Sequence, residues 1–117
     1  MNTKISYLYR DADNYKMLNE CVITGTLTAE QARTIRDCCD MGEYFIPRQV
    51  GLPERRFDRY DPEVDHCWFE LGENSFSETT ELPTVAITAT ELINRFKGCR
   101  NNWQDEAYTP QMGGMTF

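Results

Sequence analysis

Residues 4–25 read KISYLYRDADNYKMLNECVITG, and this stretch decides the fold. Its first part alternates, so that Ile5, Tyr7 and Tyr9 would share one face of a strand. The DADN that follows is rich in turn-forming residues. β-Branched residues then cluster ahead of Gly25, which predicts a second strand. The two predicted strands are close enough in sequence to form an antiparallel hairpin.

Two helices are predicted from their start signals. Thr28 and Thr88 can each cap a helix, because a Gln or Glu follows each of them three residues later, which is the capping-box spacing. Apolar residues recur at helical intervals after both caps. Gly42 and Gly98 are predicted to end the two helices.

The other elements complete an α+β fold. EYFIPRQVGLP (43–53) and HCWFELGE (66–73) predict a third and a fourth strand. Pro47 places the third strand at an edge of the sheet or gives it a bulge there. ERRFDRYDPEVD (54–65) and NSFSETTELPT (74–84) are predicted to be loops. The order β-β-α-β-β-α favours a mostly antiparallel sheet of about four strands with both helices packed on one face.

Length and composition predict one domain and a tail. The chain has 117 residues, enough for a single core. We expect residues 1–98 to form that domain and residues 99–117 to be a C-terminal tail, with Trp103 and Tyr108 as docking points. No apolar run is long enough to span a bilayer, and the N-terminus lacks the pattern of a signal peptide, so a cytoplasmic protein is expected.

The five cysteines are predicted to be reduced thiols packed as small apolar residues, because their number is odd and Cys38 and Cys39 are adjacent. The predicted first helix carries this pair on its last turn. The chain has only one histidine and no C-x-x-C, so no metal or cofactor site is predicted.

The formal net charge of −7 is unevenly distributed. Residues 54–81, called the acidic stretch below, contain nine acids and three arginines. Such a charge repels phosphates, so direct binding to nucleic acid is not expected. It suits a basic protein partner, or it serves only solubility.

The only histidine lies in VDHCWFEL (64–71). If this stretch is a strand, His66, Trp68 and Glu70 share one face, while Cys67 lies on the other face with the buried side chains. His66 and Cys67 would then point apart, which excludes them as a nucleophile–base pair.

Several arginines stand near aromatic residues, an arrangement that can hold a planar anion or anchor a protein interface. In the alternative interpretation, Arg10 and Arg48 pair with acids and the tyrosines fill the edge of the sheet. The candidate ligand- or partner-binding residues are Arg10, Asp11, Asn14, Tyr15, Arg48, Gln49, His66, Trp68 and Glu70. No catalytic residue is assigned.

Three phrases also carry a resemblance: YLYRDADNYK, GEYFIPRQVGLP and DHCWFEL. They resemble those of a family of short proteins from bacteria and their mobile elements. The similarity covers roughly residues 4 to 96. It implies a compact α+β domain in a bacterial or phage context, and it supplies no catalytic residue.

The leading hypothesis is therefore a small non-enzymatic binding protein that acts as a mobile-element or phage inhibitor. It would occlude a basic protein surface through its acidic stretch. An alternative is sequestration of a small anionic ligand such as a nucleotide by the arginines and aromatic residues. An edge strand and exposed aromatic side chains are compatible with a homodimer.

A third hypothesis is a small acid–base enzyme. His66 and Glu70 would be the pair, although four residues along a strand separate their backbones by roughly 13 Å. The acids Asp58, Asp61, Glu63 and Asp65 are a second source of paired carboxylates, although four acids in a loop are more typical of a solvated surface.

Overall fold

A computed structural model describes residues 1–57, 61 and 63–105 of the chain. The elements in chain order are β1 (Asn2–Arg10), β2 (Lys16–Ile23), α1 (Ala29–Asp37), β3 (Tyr44–Phe45), a short 3-10 helix (Pro47–Gln49), β4 (Phe69–Glu70), β5 (Phe76–Thr79) and α2 (Ala89–Cys99). Within these described ranges, no helix has the length and apolar character needed to cross a membrane.

The sheet is built around β1. It runs in the order β2-β1-β4-β3, and β5 pairs with the part of β1 that β4 leaves open. All four strand pairings are antiparallel. The α+β class, with a mostly antiparallel sheet and two helices, is confirmed.

The predicted hairpin is confirmed along its whole length. Strands β1 and β2 pair from Thr3 opposite Ile23 to Arg10 opposite Lys16. Burial alternates without a break along β1, so its odd-numbered residues face the core and its even-numbered residues face outward. The turn is held by Asp11, whose Oδ1 accepts the backbone N–H groups of Asp13 and Tyr15.

The later strands are shorter than predicted, and one of them was missed. Pro47 begins the 3-10 helix instead of lying in a strand, since it cannot donate to a ladder. Residues 66–68 lie outside β4. The predicted loop 74–84 contains β5, so the order of elements is β-β-α-β-β-β-α. The alternation Phe76-Ser77-Glu78-Thr79 is too short and too polar to stand out as a strand.

Both helix starts are confirmed and both predicted ends are wrong. Thr28 and Thr88 each form a complete capping box. α1 already ends at Asp37, so the two adjacent cysteines lie at and beyond its end, while Gly42 adopts φ +71° in a separate turn. α2 continues through Gly98 to Cys99.

One core joins the sheet to both helices. Buried side chains from β1 pack with Ile35 of α1 and with Leu92 and Phe96 of α2. The helices therefore cover one face of the sheet, as predicted. The even-numbered residues of β1 lie on the opposite face.

All five cysteines are free thiols, as predicted, and four of them are buried. Burial raises the pKa of Cys39 to about 12 and of Cys21 to about 11. Burial and the Asp105 carboxylate raise the pKa of Cys67 to about 11. Thiols with raised pKa values resist conversion to thiolate and therefore react slowly.

We expect the protein to lose stability at alkaline pH. These thiols titrate near pH 9 in the unfolded chain and about two to three pH units higher in the folded protein. Their contribution to the stability of the fold is therefore complete below pH 9 and falls as pH rises toward 12. Urea unfolding at a series of pH values measures this directly. The free energy of unfolding should fall less per pH unit in Cys39→Ala than in the wild type. A free energy of unfolding that is constant or rises from pH 9 to 11 would contradict the expectation.

Residues beyond the proposed domain boundary at residue 98 also contact the core. The indole of Trp103 packs edge-on against Phe45 and Phe96, with ring centroids 6.4 and 5.8 Å away. Its Nε1 donates to the Cys38 carbonyl at 2.9 Å. Tyr108 lies outside the described residues, and the division into a domain and a tail stays a prediction.

Candidate binding cleft

A cavity of about 400 Å³ opens beside the end of β1. It is called the cleft below. Its lining residues are Arg10, Asp11, Asp40, Met41, Tyr44, His66, Trp68 and Glu70. Five of these residues were candidates from the sequence, and they come from two separate segments, 10–11 and 66–70.

A tight turn after α1 supplies the wall that the sequence did not reveal. Asp40 and Tyr44 exchange both backbone hydrogen bonds, at 2.7 and 2.9 Å. Met41 and Gly42 both adopt positive φ within this turn. The turn holds Asp40 and Tyr44 against the cleft and leaves Met41 86% exposed. The adjacent Met-Gly pair before a predicted strand was the only available signal of this turn.

The alternating stretch 64–71 supplies the opposite wall. Cys67, Phe69 and Leu71 are buried, as predicted, while His66, Trp68 and Glu70 are half-buried. The three half-buried side chains all line the cleft, although only residues 69 and 70 belong to a strand. Alternation of an extended chain therefore sets the orientation of these side chains even outside the ladder.

Arg10 is already satisfied by groups of the protein. Its Nε and Nη2 donate to the two oxygens of Glu70 at 2.9 and 3.4 Å. Its Nη1 donates to Asn14 Oδ1 at 2.5 Å. The hydrogen bond to Glu70 raises the pKa of Arg10 further. This arginine therefore neutralises Glu70 rather than offering a vacant fork to a ligand.

The remaining charge of the cleft is negative. Three carboxylates, from Asp11, Asp40 and Glu70, face one guanidinium. Glu43 lies close enough to raise the pKa of Tyr44, with a smaller contribution from Glu70. Aromatic rings and carboxylates on the same walls are the chemistry that attracts a cation.

His66 is held by the backbone at both ring nitrogens. Nε2 lies 2.7 Å from the Arg10 carbonyl oxygen, which can only accept, so Nε2 carries the proton. Nδ1 accepts the Trp68 N–H at 3.0 Å. These bonds specify the neutral imidazole and occupy both of its nitrogens. With Glu70 bonded to Arg10, both members of the suggested acid–base pair serve other partners.

The other sequence candidates lie elsewhere. Asn14 contacts the cleft only through Arg10. Tyr15 is 67% exposed beside a smaller neighbouring cavity with Phe57. Arg48 and Gln49 belong to the 3-10 helix, where the Gln49 amide exchanges hydrogen bonds with the backbone of Gln104. The structure therefore does not bring Arg48 and Arg10 into one cavity.

Two described acids of the acidic stretch lie at opposite ends of β1. Glu81 pairs with Lys4 near the start of β1, whereas Asp65 accepts from Tyr9 near its end, so these two acids lie roughly 15–20 Å apart. Asp61 and Asp65 bond backbone groups of their own loop. Asp58 lies outside the described residues.

Two residues of the stretch form a buried ion pair. Glu54 and Arg56 lie 3.1 Å apart with side chains 10% and 7% exposed. The Arg56 guanidinium stacks over the rings of Tyr9 and Phe69, and its Nε donates to the His66 carbonyl at 3.2 Å. This pair supports the backbone beneath the cleft.

No group of three or more side chains in the described part of the chain could hold a metal ion.

The comparisons with known proteins find no relative of this chain. No family model, curated protein or solved structure matches the chain.

Proposed function

We propose that this chain is a non-enzymatic binding protein whose cleft accepts a lysine or arginine side chain of a basic partner protein. By binding that partner it would act as an inhibitor. This role fits the bacterial or phage context that the sequence resemblance implies. The observation that carries the proposal is the cleft itself, in which carboxylates and aromatic rings face one cavity.

The charges in the cleft favour a cation over an anion. Arg10 is paired with Glu70, which leaves Asp11 and Asp40 as the excess charge of the cavity. Asp40 is exposed, and it uses its backbone rather than its carboxylate in the turn. A cation entering the cleft would therefore meet a carboxylate that has no competing protein partner among the described residues.

The rings give the cleft its second contribution. Trp68 and Tyr44 line it, and Met41 stands exposed at its rim. A cation over an aromatic face gains about 0.5–2 kcal/mol, more when water is excluded. An exposed methionine adds a flexible apolar contact of the kind used at protein interfaces. The two contributions together suit a basic side chain presented by a protein.

The test uses short peptides as probes, one with a central lysine and one with that lysine acetylated. NMR titration of isotope-labelled protein should show the lysine peptide shifting the Trp68 indole signal, with binding that weakens as salt is added. Acetylation removes the charge and should weaken binding at least tenfold.

Variants locate the site. Asp40→Asn and Trp68→Ala should each weaken binding of the lysine peptide about tenfold or more. Glu63→Gln, at an exposed acid outside the cleft, is the matched control and should bind normally. Equal binding of both peptides, or normal binding by Asp40→Asn, would contradict the proposal. Tight binding of a nucleotide instead would support the anionic alternative.

A further inference from the structure

A second surface lies near the start of β1, where β5 forms an edge of the sheet. The Ser6 N–H donates to the Ser75 carbonyl at 2.8 Å, which shows that Ser75 directs its backbone groups toward β1. Because direction alternates along a strand, Ser77 also faces β1, while the backbone groups of Phe76 and Glu78 point outward. These outward groups have no backbone partner among the residues that the structure describes.

The other edges of the sheet are largely covered. The turn 40–44 bonds β3 at Tyr44. Residues 84–89 bond β2 from Val22 to Thr24. This leaves β5, together with the middle of β2, as the edges open to another chain. An open edge can pair with an added strand.

A groove of about 400 Å³ runs between β5 and α1. Leu27, Ala32 and Phe76 give it an apolar floor. Arg33 and Arg36 stand on its helical wall, and Glu73 and Glu78 stand on the strand side. The groove therefore offers hydrogen-bonding backbone, apolar contact and both signs of charge along one surface.

The charges within this groove are poorly satisfied by one another. Arg36 Nη1 lies 4.0 Å from Glu73 Oε1, which is too long for a hydrogen bond. Arg36 Nε is buried without a hydrogen-bond partner in the described structure. Glu73 remains 85% exposed. The Arg36 side chain is nevertheless 31% exposed, so an additional carboxylate approaching the helical wall could accept from the exposed part of its guanidinium.

From these features we infer that a second copy of this chain pairs along β5 and extends the sheet across a two-fold axis. Such an axis places the same patch on both sides of the interface. A patch with arginines on one wall and glutamates on the other is then self-complementary, since the glutamates of one copy approach the arginines of its partner. The groove also has two cations and two anions, whereas the chain carries −7. Because this patch has no net charge, two like-charged copies can meet here without local repulsion.

Sedimentation velocity from about 1 μM to about 1 mM tests the inference. We expect the wild-type chain to shift from 13.7 kDa to twice that mass. The double variants R33E/R36E and E73K/E78K should each dimerise at least about tenfold more weakly, because like charges then face each other. Their equimolar mixture should recover a heterodimer, because the two altered walls complement each other.

Two further variants separate pairing from folding. Glu78→Pro removes only an outward-facing N–H, so it should abolish the dimer while circular dichroism stays native. Glu20→Lys, on the other open edge, should dimerise normally. A wild-type chain that stays monomeric throughout, a dimer that survives both charge reversals, or folded variants whose mixture does not associate would each overturn the inference.

Discussion

Glu54→Ala is expected to lower the free energy of unfolding by about 3–5 kcal/mol, because it removes a carboxylate that pairs with the buried Arg56 guanidinium. The two side chains are 10% and 7% exposed and lie 3.1 Å apart. Arg56 cannot leave this position cheaply, since it stacks over Tyr9 and Phe69 and bonds the His66 carbonyl. Urea denaturation followed by circular dichroism measures the change.

Replacing both partners should cost far less than replacing one. Glu54→Leu combined with Arg56→Met removes both charges and keeps most of the volume, so its stability should stay close to the wild type. Glu81→Ala breaks the exposed pair with Lys4 and serves as the surface control, with a much smaller expected loss. A single variant as stable as this control would show that the pair is solvated.

Trp103→Ala is expected to destabilise the fold by about 3 kcal/mol, although the residue lies beyond the domain boundary predicted from the sequence. The indole packs against Phe45, Phe96 and Trp68 and donates to the Cys38 carbonyl. Removing a ring from such a cluster leaves a cavity that neighbouring side chains fill only in part.

The variant Trp103→Phe keeps a ring and loses the donor, so about 1 kcal/mol is expected. Thermal unfolding of both variants beside the wild type gives the comparison. If Trp103→Ala unfolds at the wild-type temperature, residues 99–105 behave as a tail and the core ends at α2.

Local signals predicted the fold where they act over a few residues. The alternation in β1 and the two threonine caps need only neighbours three or fewer positions away, and both were confirmed. The predicted helix ends were wrong because a glycine does not by itself mark the end of a helix, and Gly98 lies inside α2. Gly42 does adopt a positive φ of +71°, but it lies in the turn that begins at Asp40 and not at the end of α1.

Elements that depend on distant partners could not be predicted from the sequence. β5 is four residues long, and its register is set by β1 more than 70 positions away. The ladder of β4 is shortened by the loop before it, although burial alternates through residues 67–71.

For the same reason, only part of the cleft could be predicted from the sequence. His66, Trp68 and Glu70 came from one alternating stretch, and they do line one cavity. Asp40 and Tyr44 belong to a turn with no chemical motif, so only tertiary packing places them opposite Trp68. The pairing of Arg10 with Glu70, 60 positions apart, likewise could not be read from spacing.

The central place of β1 has a consequence for synthesis on the ribosome. β1 emerges well before residues 69–79, which are the partners of its second edge. Until those residues leave the exit tunnel, only the hairpin with β2 can form, and the apolar face of that hairpin lacks the helix that carries Leu92 and Phe96. The nascent chain therefore carries an unpaired strand edge until residues 69–79 emerge, and during that interval a chaperone could keep this edge from pairing with neighbouring nascent chains.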